Sequence, residues 1–290
     1  MCDNHGHEIA AAEADLGPAD DVMGSGGARL VDLSRMPRRD VIRGLMAGSL
    51  LLAGCETNAV TGRSQFTAFA PGDAQLAAMA LDSWNEQKSK TPISRDPTAN
   101  ARLQRVGQRI AAVSGLTSVQ WEFVVFDKPE KNAFVLPGGK VGFYKGLIDI
   151  SPKDDHIACV MGHEVGHVQA KHSAERYSQQ VGAQVAMTAA QVGMAGRENS
   201  NAWLAALGLG AQVGILLPYS RLQESEADRV GVDNMHKAGY DVTEAVKFWE
   251  IMAAQEGGAR PPAILSTHPS PEGRMAELRA YINQRGYARV

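Results

Sequence analysis

His163, Glu164 and His167 stand in the order His-Glu-x-x-His. Residues four apart lie on one face of a helix, so two imidazoles can be offered to a single metal ion. Zinc suits those ligands, and Glu164 between them is close enough to take a proton from a water that the metal polarises. Ile157, Ala158, Val160, Met161, Val165 and Val168 frame the stretch with apolar residues over a helical length. Alone, the pattern also fits a buried helix with two packed histidines, and a third donor decides between these readings. Further along, Glu224 and Asp228 are four apart and share a helical face. A carboxylate from a second helix, Glu224, completes three protein ligands and leaves a fourth position for water. Asp228, one turn on, is placed to accept a hydrogen bond from a ligating imidazole and fix its orientation. Glu226 points elsewhere on that helix. Without the two histidines, the same run would read as a solvated acidic face.

Other potential ligands are weaker. Cys159 precedes His163 by one turn, but the histidines already use the ligand face, and a small buried residue is the simpler role. His172 lies five residues after His167, which on a continuing helix turns it to a different side.

The elements that must position these groups are readable in outline. Asn58 to Gln65 contains a Thr61-Gly62 turn and predicts a short hairpin. A helix is predicted from Ala74 to about Lys88 with Leu76, Met79, Ala80 and Trp84 inward, and another from Pro97 with Leu103, Val106, Ile110 and Val113 inward. Val119 to Phe126, Asn132 to Leu136 and Lys140 to Tyr144 then predict three strands, with Pro137-Gly138-Gly139 as the turn of a hairpin. Such a hairpin is either purely structural or an edge to which an extended peptide can add as a further strand. Pro152 to Asp155 opens the His-Glu-x-x-His helix with acidic residues at its N-terminus. Helical pattern resumes from Ala174 to Met194 and in an apolar run from Ala202 to Leu217. That run is too short and too Gly-rich to span a bilayer. The last helix, Met275 to Gln284, turns Leu278 and Ile282 inward and ends at Gly286.

The chain of 290 residues is 44% hydrophobic and 21% charged with a formal net charge of −3, the balance of a globular protein with no basic face for nucleic acid. Its three cysteines cannot form a disulfide framework. Residues 1–35 lack apolar periodicity and read as a disordered or extraneous leader, with Met36 a more natural start. Residues 36–54 carry Arg38 and Arg39 and then a small, apolar run that ends in Leu52-Ala53-Gly54-Cys55. This resembles the signal peptide and lipobox of bacterial lipoproteins, the alternative being a buried apolar helix. The resemblance implies acylation of Cys55 and tethering to a membrane by hydrocarbon chains rather than a spanning helix. The arginine pair is similar to a twin-arginine export signal, and Glu56 differs from the Asp of an inner-membrane retention signal. The implied location is the bacterial periplasm, at the outer rather than the inner membrane.

His163-Glu164-x-x-His167 with Glu224-x-x-x-Asp228 resembles the zinc peptidase family that includes HtpX, BepA, the Oma-type mitochondrial peptidase and the CAAX prenyl protease. Asn132-Ala133-Phe134-Val135, running on to Gly139, is similar to the family's substrate-binding edge strand. Thr267-His268-Pro269-Ser270, with Arg274 beyond, is similar to its C-terminal motif. The resemblance implies one zinc ion held by His163, His167 and Glu224, with Glu164 as general base. It also implies a role for His268 at the centre, either closing the fourth zinc position or stabilising the tetrahedral intermediate. Arg274 would pair with Asp228 or steady the site.

The expected fold is α+β, mostly helical: a single zincin-like catalytic domain over residues 55–290 with a small sheet beside the His-Glu-x-x-His helix. The expected activity is zinc-dependent hydrolysis of peptide bonds in misfolded or unassembled cell-envelope proteins. The rival reading is a non-catalytic envelope chaperone or binding lipoprotein, which has no need of Glu164. Polypeptides are the expected partners, and no particular oligomeric state is implied.

Overall fold

The computed structural model describes residues 54–194, 220–254, 262–268 and 273–288. The leader, most of the lipoprotein-like signal and the apolar run from Ala202 to Leu217 lie outside them. Strand β1 (Cys55–Thr57) pairs antiparallel with β2 (Ser64–Phe66), as the turn residues between them require. Asn58 organises the loop, its side-chain oxygen accepting from the Val60 and Thr61 amides at 2.9 and 3.0 Å. Its amide group donates to the Gln169 carbonyl, and Gln65 donates to the Ala170 carbonyl at 2.7 Å. The hairpin is thereby fastened to the far end of the central helix.

Helix α1 (Asp73–Lys90) is slightly longer than its apolar pattern predicts, and Trp84 and Ala80 are its buried residues. Met79 departs from the expected inward face, being 48% exposed. It sits one position off the line of Leu76, Ala80 and Trp84, which repeat every four residues. Helix α2 (Pro97–Val113) starts at Asp96, whose carboxylate accepts from the Thr98 and Ala99 amides, and buries Leu103, Val106 and Ile110.

Three strands follow: β3 (Glu122–Phe126), β4 (Ala133–Leu136) and β5 (Lys140–Tyr144). β3 begins three residues later than its pattern suggests, because Val119 is drawn into a turn that bonds back to Leu116. Their order is β3-β5-β4, with β5 parallel to β3 and antiparallel to β4. Gly138 and Gly139 turn the β4–β5 hairpin at φ of 83° and 78°, a conformation that favours glycine. Strand β4 is therefore an edge, with α3 (Lys145–Asp149) leading away from β5.

The central helix α4 (Asp154–Gln169) is buried at every position from His156 to His167. A helix enclosed on all sides carries no exposed polar face, so its polar residues need partners from neighbouring elements. Those neighbours are α2, β4 and α7 (Thr243–Ala254), and above all α6 (Arg221–Lys237), its most extensive contact. The α4–α6 crossing is made by glycine. A Cβ on Gly162 would meet the Gly231 carbonyl oxygen at 2.7 Å, and one on Gly166 would meet the Ala227 oxygen at 2.8 Å. From the other side, a Cβ on Gly231 would lie 2.8 Å from the His163 amide nitrogen. Backbone rests on backbone, closer than side chains would permit.

Helix α6 is started by a capping box between Ser220 and Gln223, which holds its first turn and Glu224 within it. Between α4 and α5 (His172–Met194) the chain reverses at Lys171, whose φ is 53°. A one-turn helix α8 (Ile264–Thr267) precedes α9 (Arg274–Arg285), which buries Leu278 and Ile282 and ends on Gly286 at φ 68°. The protein is α+β and mostly helical, a single domain with its small sheet beside the His-Glu-x-x-His helix. No helix among the described residues is long and apolar enough to cross a membrane.

Two tests follow from this packing. Gly231→Ala forces α4 and α6 apart and should cost about 1–3 kcal/mol in urea unfolding; an unchanged midpoint would mean the helices are not locked there. The second concerns Glu244, at the start of α7. Lys247, Lys153 and His156 hold its carboxyl down to about 2 from an ordinary 4.5. A depressed carboxylate stabilises the fold above its unfolded pKa, and that stabilisation is lost as pH falls through the folded value. Stability should therefore decline between about pH 4.5 and 2, and Glu244→Gln should flatten this part of the profile. Identical acid limbs for the two proteins would refute it.

Candidate metal centre

One turn of α4 separates His163 from His167, and their rings meet edge to face with centroids 4.7 Å apart. The two Nε2 atoms are 3.1 Å from each other. Glu224, in the first turn of α6, reaches the same point: its carboxylate oxygens lie 3.5 Å from His163 Nε2 and 3.4 Å from His167 Nε2. His268, just after α8, adds a third imidazole, with Nδ1 2.9 Å from Glu224 Oε1 and 3.2 Å from His163 Nε2. One donor atom from each of these four buried residues lies within 4.8 Å of the others. Beside them, Glu164 Oε1 is 3.4 Å from His268 Nε2. Strand β4 packs against the central helix, and the Val135 backbone opposes the effect of burial on the Glu164 carboxyl.

The chemistry of this cluster fits a divalent cation. Asp228 Oδ1 stands 2.9 Å from His163 Nδ1, and a carboxylate only accepts, so that nitrogen carries the proton. The His163 Nε2 lone pair is then turned into the cluster, towards the other imidazoles and Glu224. Of the buried carboxylate oxygens here, Glu164 Oε1 accepts no hydrogen bond from the protein, and Glu224 Oε2 has the Arg274 guanidinium beside it as an ion pair. Buried lone pairs facing one another are costly unless a cation lies among them.

Electrostatics act in the same sense. Burial would raise the Glu224 carboxyl, yet the His163, His167 and His268 imidazoles hold it well below the usual carboxylate range. Burial pushes Glu164 up and His167 well down, disfavouring charge on either. For His268, burial works against protonation, but the Glu164 and Glu224 carboxylates win and raise it. Asp228 resists burial through Arg274, which keeps its carboxyl low. Arg274 donates from Nη2 to Asp228 Oδ1 at 2.8 Å, and its Nη1 lies 3.0 Å from Glu224 Oε2. The guanidinium also lies 4.5 Å over the Trp249 ring, which in turn packs against His163.

The structure thus brings together His163, His167, Glu224, His268, Glu164, Asp228 and Arg274. Ala133, Phe134 and Val135 lie on the edge strand β4, with Asn132 just before it. Cys159 is buried outside the donor group, its sulfur 3.9 Å from the Ala245 carbonyl oxygen. Cys55 opens β1 and is not among the donor group. His172 stands outside the donor group, as its spacing predicts, and meets His167 from behind. Its Nδ1 lies 2.7 Å from His167 Nδ1, a contact made after the left-handed residue Lys171 ends the central helix. No local spacing marks Trp249 in the sequence. Beside the centre a cleft of about 760 Å³ runs from His167 to the β4–β5 turn, with Leu76, Leu81, Leu116 and Val119 among its apolar walls.

Comparison with known proteins agrees with this geometry. Over 210 residues the chain is 36% identical to the mitochondrial metalloendopeptidase OMA1 of Schizosaccharomyces pombe, covering 70% of this chain and 60% of that protein. It is 30% identical to the beta-barrel assembly-enhancing protease of Escherichia coli over 210 residues, which cover 68% of this chain and 42% of that one. With the mitochondrial metalloendopeptidase OMA1 of Arabidopsis thaliana it shares 37% over 174 residues, 60% of this chain and 34% of the relative. The chain therefore spans no more than about 60% of the length of these relatives. Residues 97–282, which run from the start of α2 through most of α9, match Peptidase family M48, and the chain belongs to that family.

Proposed function

We propose that this chain is a zinc-dependent endopeptidase whose ion is held by His163, His167 and Glu224. The observation that carries this reading is the convergence of those three donors from two helices, with Glu164 beside them. When bound, zinc lowers the pKa of water towards neutrality and polarises the scissile carbonyl. Glu164 takes one proton from the attacking water as its oxygen bonds to the carbonyl carbon. The same carboxyl then gives that proton to the leaving amine as the C–N bond breaks. Burial raises Glu164 towards the range in which both transfers are efficient. Asp228 and Arg274 orient His163, and Arg274 steadies Glu224. The peptide adds along β4, from Asn132 to Val135, on the side turned away from β5, which no strand among the described residues occupies.

His268 serves in this reading as a latch on the fourth position, in line with its burial against Glu224 and His163. The substrates are misfolded or unassembled cell-envelope polypeptides, a choice supported by the relative named as a beta-barrel assembly-enhancing protease. The lipobox-like residues before Cys55 support acylation there and a periplasmic, membrane-tethered position, at the outer membrane in preference.

Glu164→Gln should lower casein hydrolysis about 10²–10⁴-fold yet keep zinc on elemental analysis, whereas His167→Ala should lose both. Full activity with zinc retained in Glu164→Gln would overturn the assignment. EDTA should abolish hydrolysis and added zinc restore it; no hydrolysis in any state would favour the binding-lipoprotein reading. His268→Ala should hydrolyse casein faster than wild type, and equal rates would dismiss the latch. Mass spectrometry of the N-terminal peptide should find a diacylated Cys55, and a full-length unmodified terminus would refute the anchor.

A further inference from the structure

The face of His167 turned away from the centre leads into a buried chain of polar groups that reaches the N-terminal hairpin. His167 Nδ1 is 2.7 Å from His172 Nδ1, and His172 Nε2 is 3.0 Å from Glu226 Oε2. Glu226 Oε1 accepts from Arg63 Nε at 2.7 Å, across 163 residues of sequence. Arg63 also donates from Nη1 and Nη2 to the two oxygens of Glu175, at 2.7 and 2.6 Å. Gln223, of the α6 capping box, donates to Glu175 Oε2 at 2.7 Å. His172 is wholly buried and Glu175 and Glu226 nearly so. Such a network is not a solvated charge patch, since every member is held by another.

We infer that His172, Glu226 and Arg63 are positioning residues for the metal centre, fixing the proton and the direction of His167, so that the N-terminal hairpin is part of the metal site. The inference rests on the zinc reading above. If His167 offers Nε2 to an ion, its only ring proton is on Nδ1, and that proton must be donated to His172 Nδ1. His172 then accepts at Nδ1, so its own proton sits on Nε2 and is donated to Glu226. The carboxylate of Glu226 is held in turn by Arg63. Each proton in the chain has one place. Arg63 carries one positive charge against the negative charges of Glu175 and Glu226, which leaves a net negative charge behind the imidazole. That makes His167 a more basic ligand. His163 is served in the same way by Asp228 and Arg274 on the other side. The two ligand histidines therefore have separate supports, one from the C-terminal helix α9 and one from the hairpin after Cys55.

The test is zinc affinity of the full chain, by competition with a chromophoric chelator, together with the absorption spectrum of the cobalt-substituted protein. His172→Ala and Glu226→Gln should each weaken zinc about 10–100-fold and shift the cobalt bands, with apo-protein unfolding measured alongside. The double variant should bind no more weakly than His172→Ala alone, because both changes cut one chain. Arg63→Lys should bind more tightly than Arg63→Met. If His172→Ala does not fold, Glu226→Gln, which keeps the native shape, decides alone. Folded variants with wild-type affinity and spectrum, or additive losses in the double variant, would overturn the relay. A wild-type chain that binds no zinc would instead overturn the reading on which the relay rests.

Discussion

Everything at the candidate centre depends on how closely two helices cross. Glu224 has a short side chain and sits on α6, while the imidazoles sit on α4. They share one point only because Gly162, Gly166 and Gly231 let the two backbones touch. A pair of alanines at that crossing would hold the axes apart by roughly the width of the missing methyl groups, on a spacing normally 8–10 Å. The cost of using glycine inside two helices, on the order of 0.5–1 kcal/mol each, is offset by the burial that encloses α4 on all sides. The same crossing places the His163 amide against Gly231, so the ligand backbone is itself part of the contact.

A second consequence of that enclosure is charge. His163, His167, Glu164, Glu224, Asp228, His268 and Arg274 are all buried, and isolated charges in such a setting are strongly disfavoured. They are tolerated because they are connected. Arg274 answers both Asp228 and Glu224, while the imidazoles answer Glu224. Paired charges of this kind add little net stability but make any single removal expensive. The centre is thus geometrically stiff for electrostatic reasons as well as packing ones.

The sequence made the carriers legible and hid the contacts. Spacing by four put His163 with His167 and Glu224 with Asp228 on common helical faces, and alternating apolar residues with a Pro-Gly-Gly turn marked β4 and β5. The mostly helical α+β class followed from the same patterns. What could not be read was anything requiring the path between elements. The contact of His172 with the rear of His167 could not be read because the left-handed residue at Lys171 has no signature in a non-glycine position. Met79 looked inward because its apolar character outweighed a phase error of one residue. Arg63 gave no sign at all, since its partners lie 112 and 163 residues away. The glycines of α4 carry no local signal of their role, which is set by the backbone that stands opposite them.

Chain topology adds a temporal dimension. The β4–β5 hairpin closes through neighbours in sequence, so it is cheap in loop entropy, whereas the groups around the two imidazoles come from segments 65, 105 and 163 residues apart. Such distant partners meet late in folding. The β4–β5 hairpin can therefore form before the donors of the cluster are brought together.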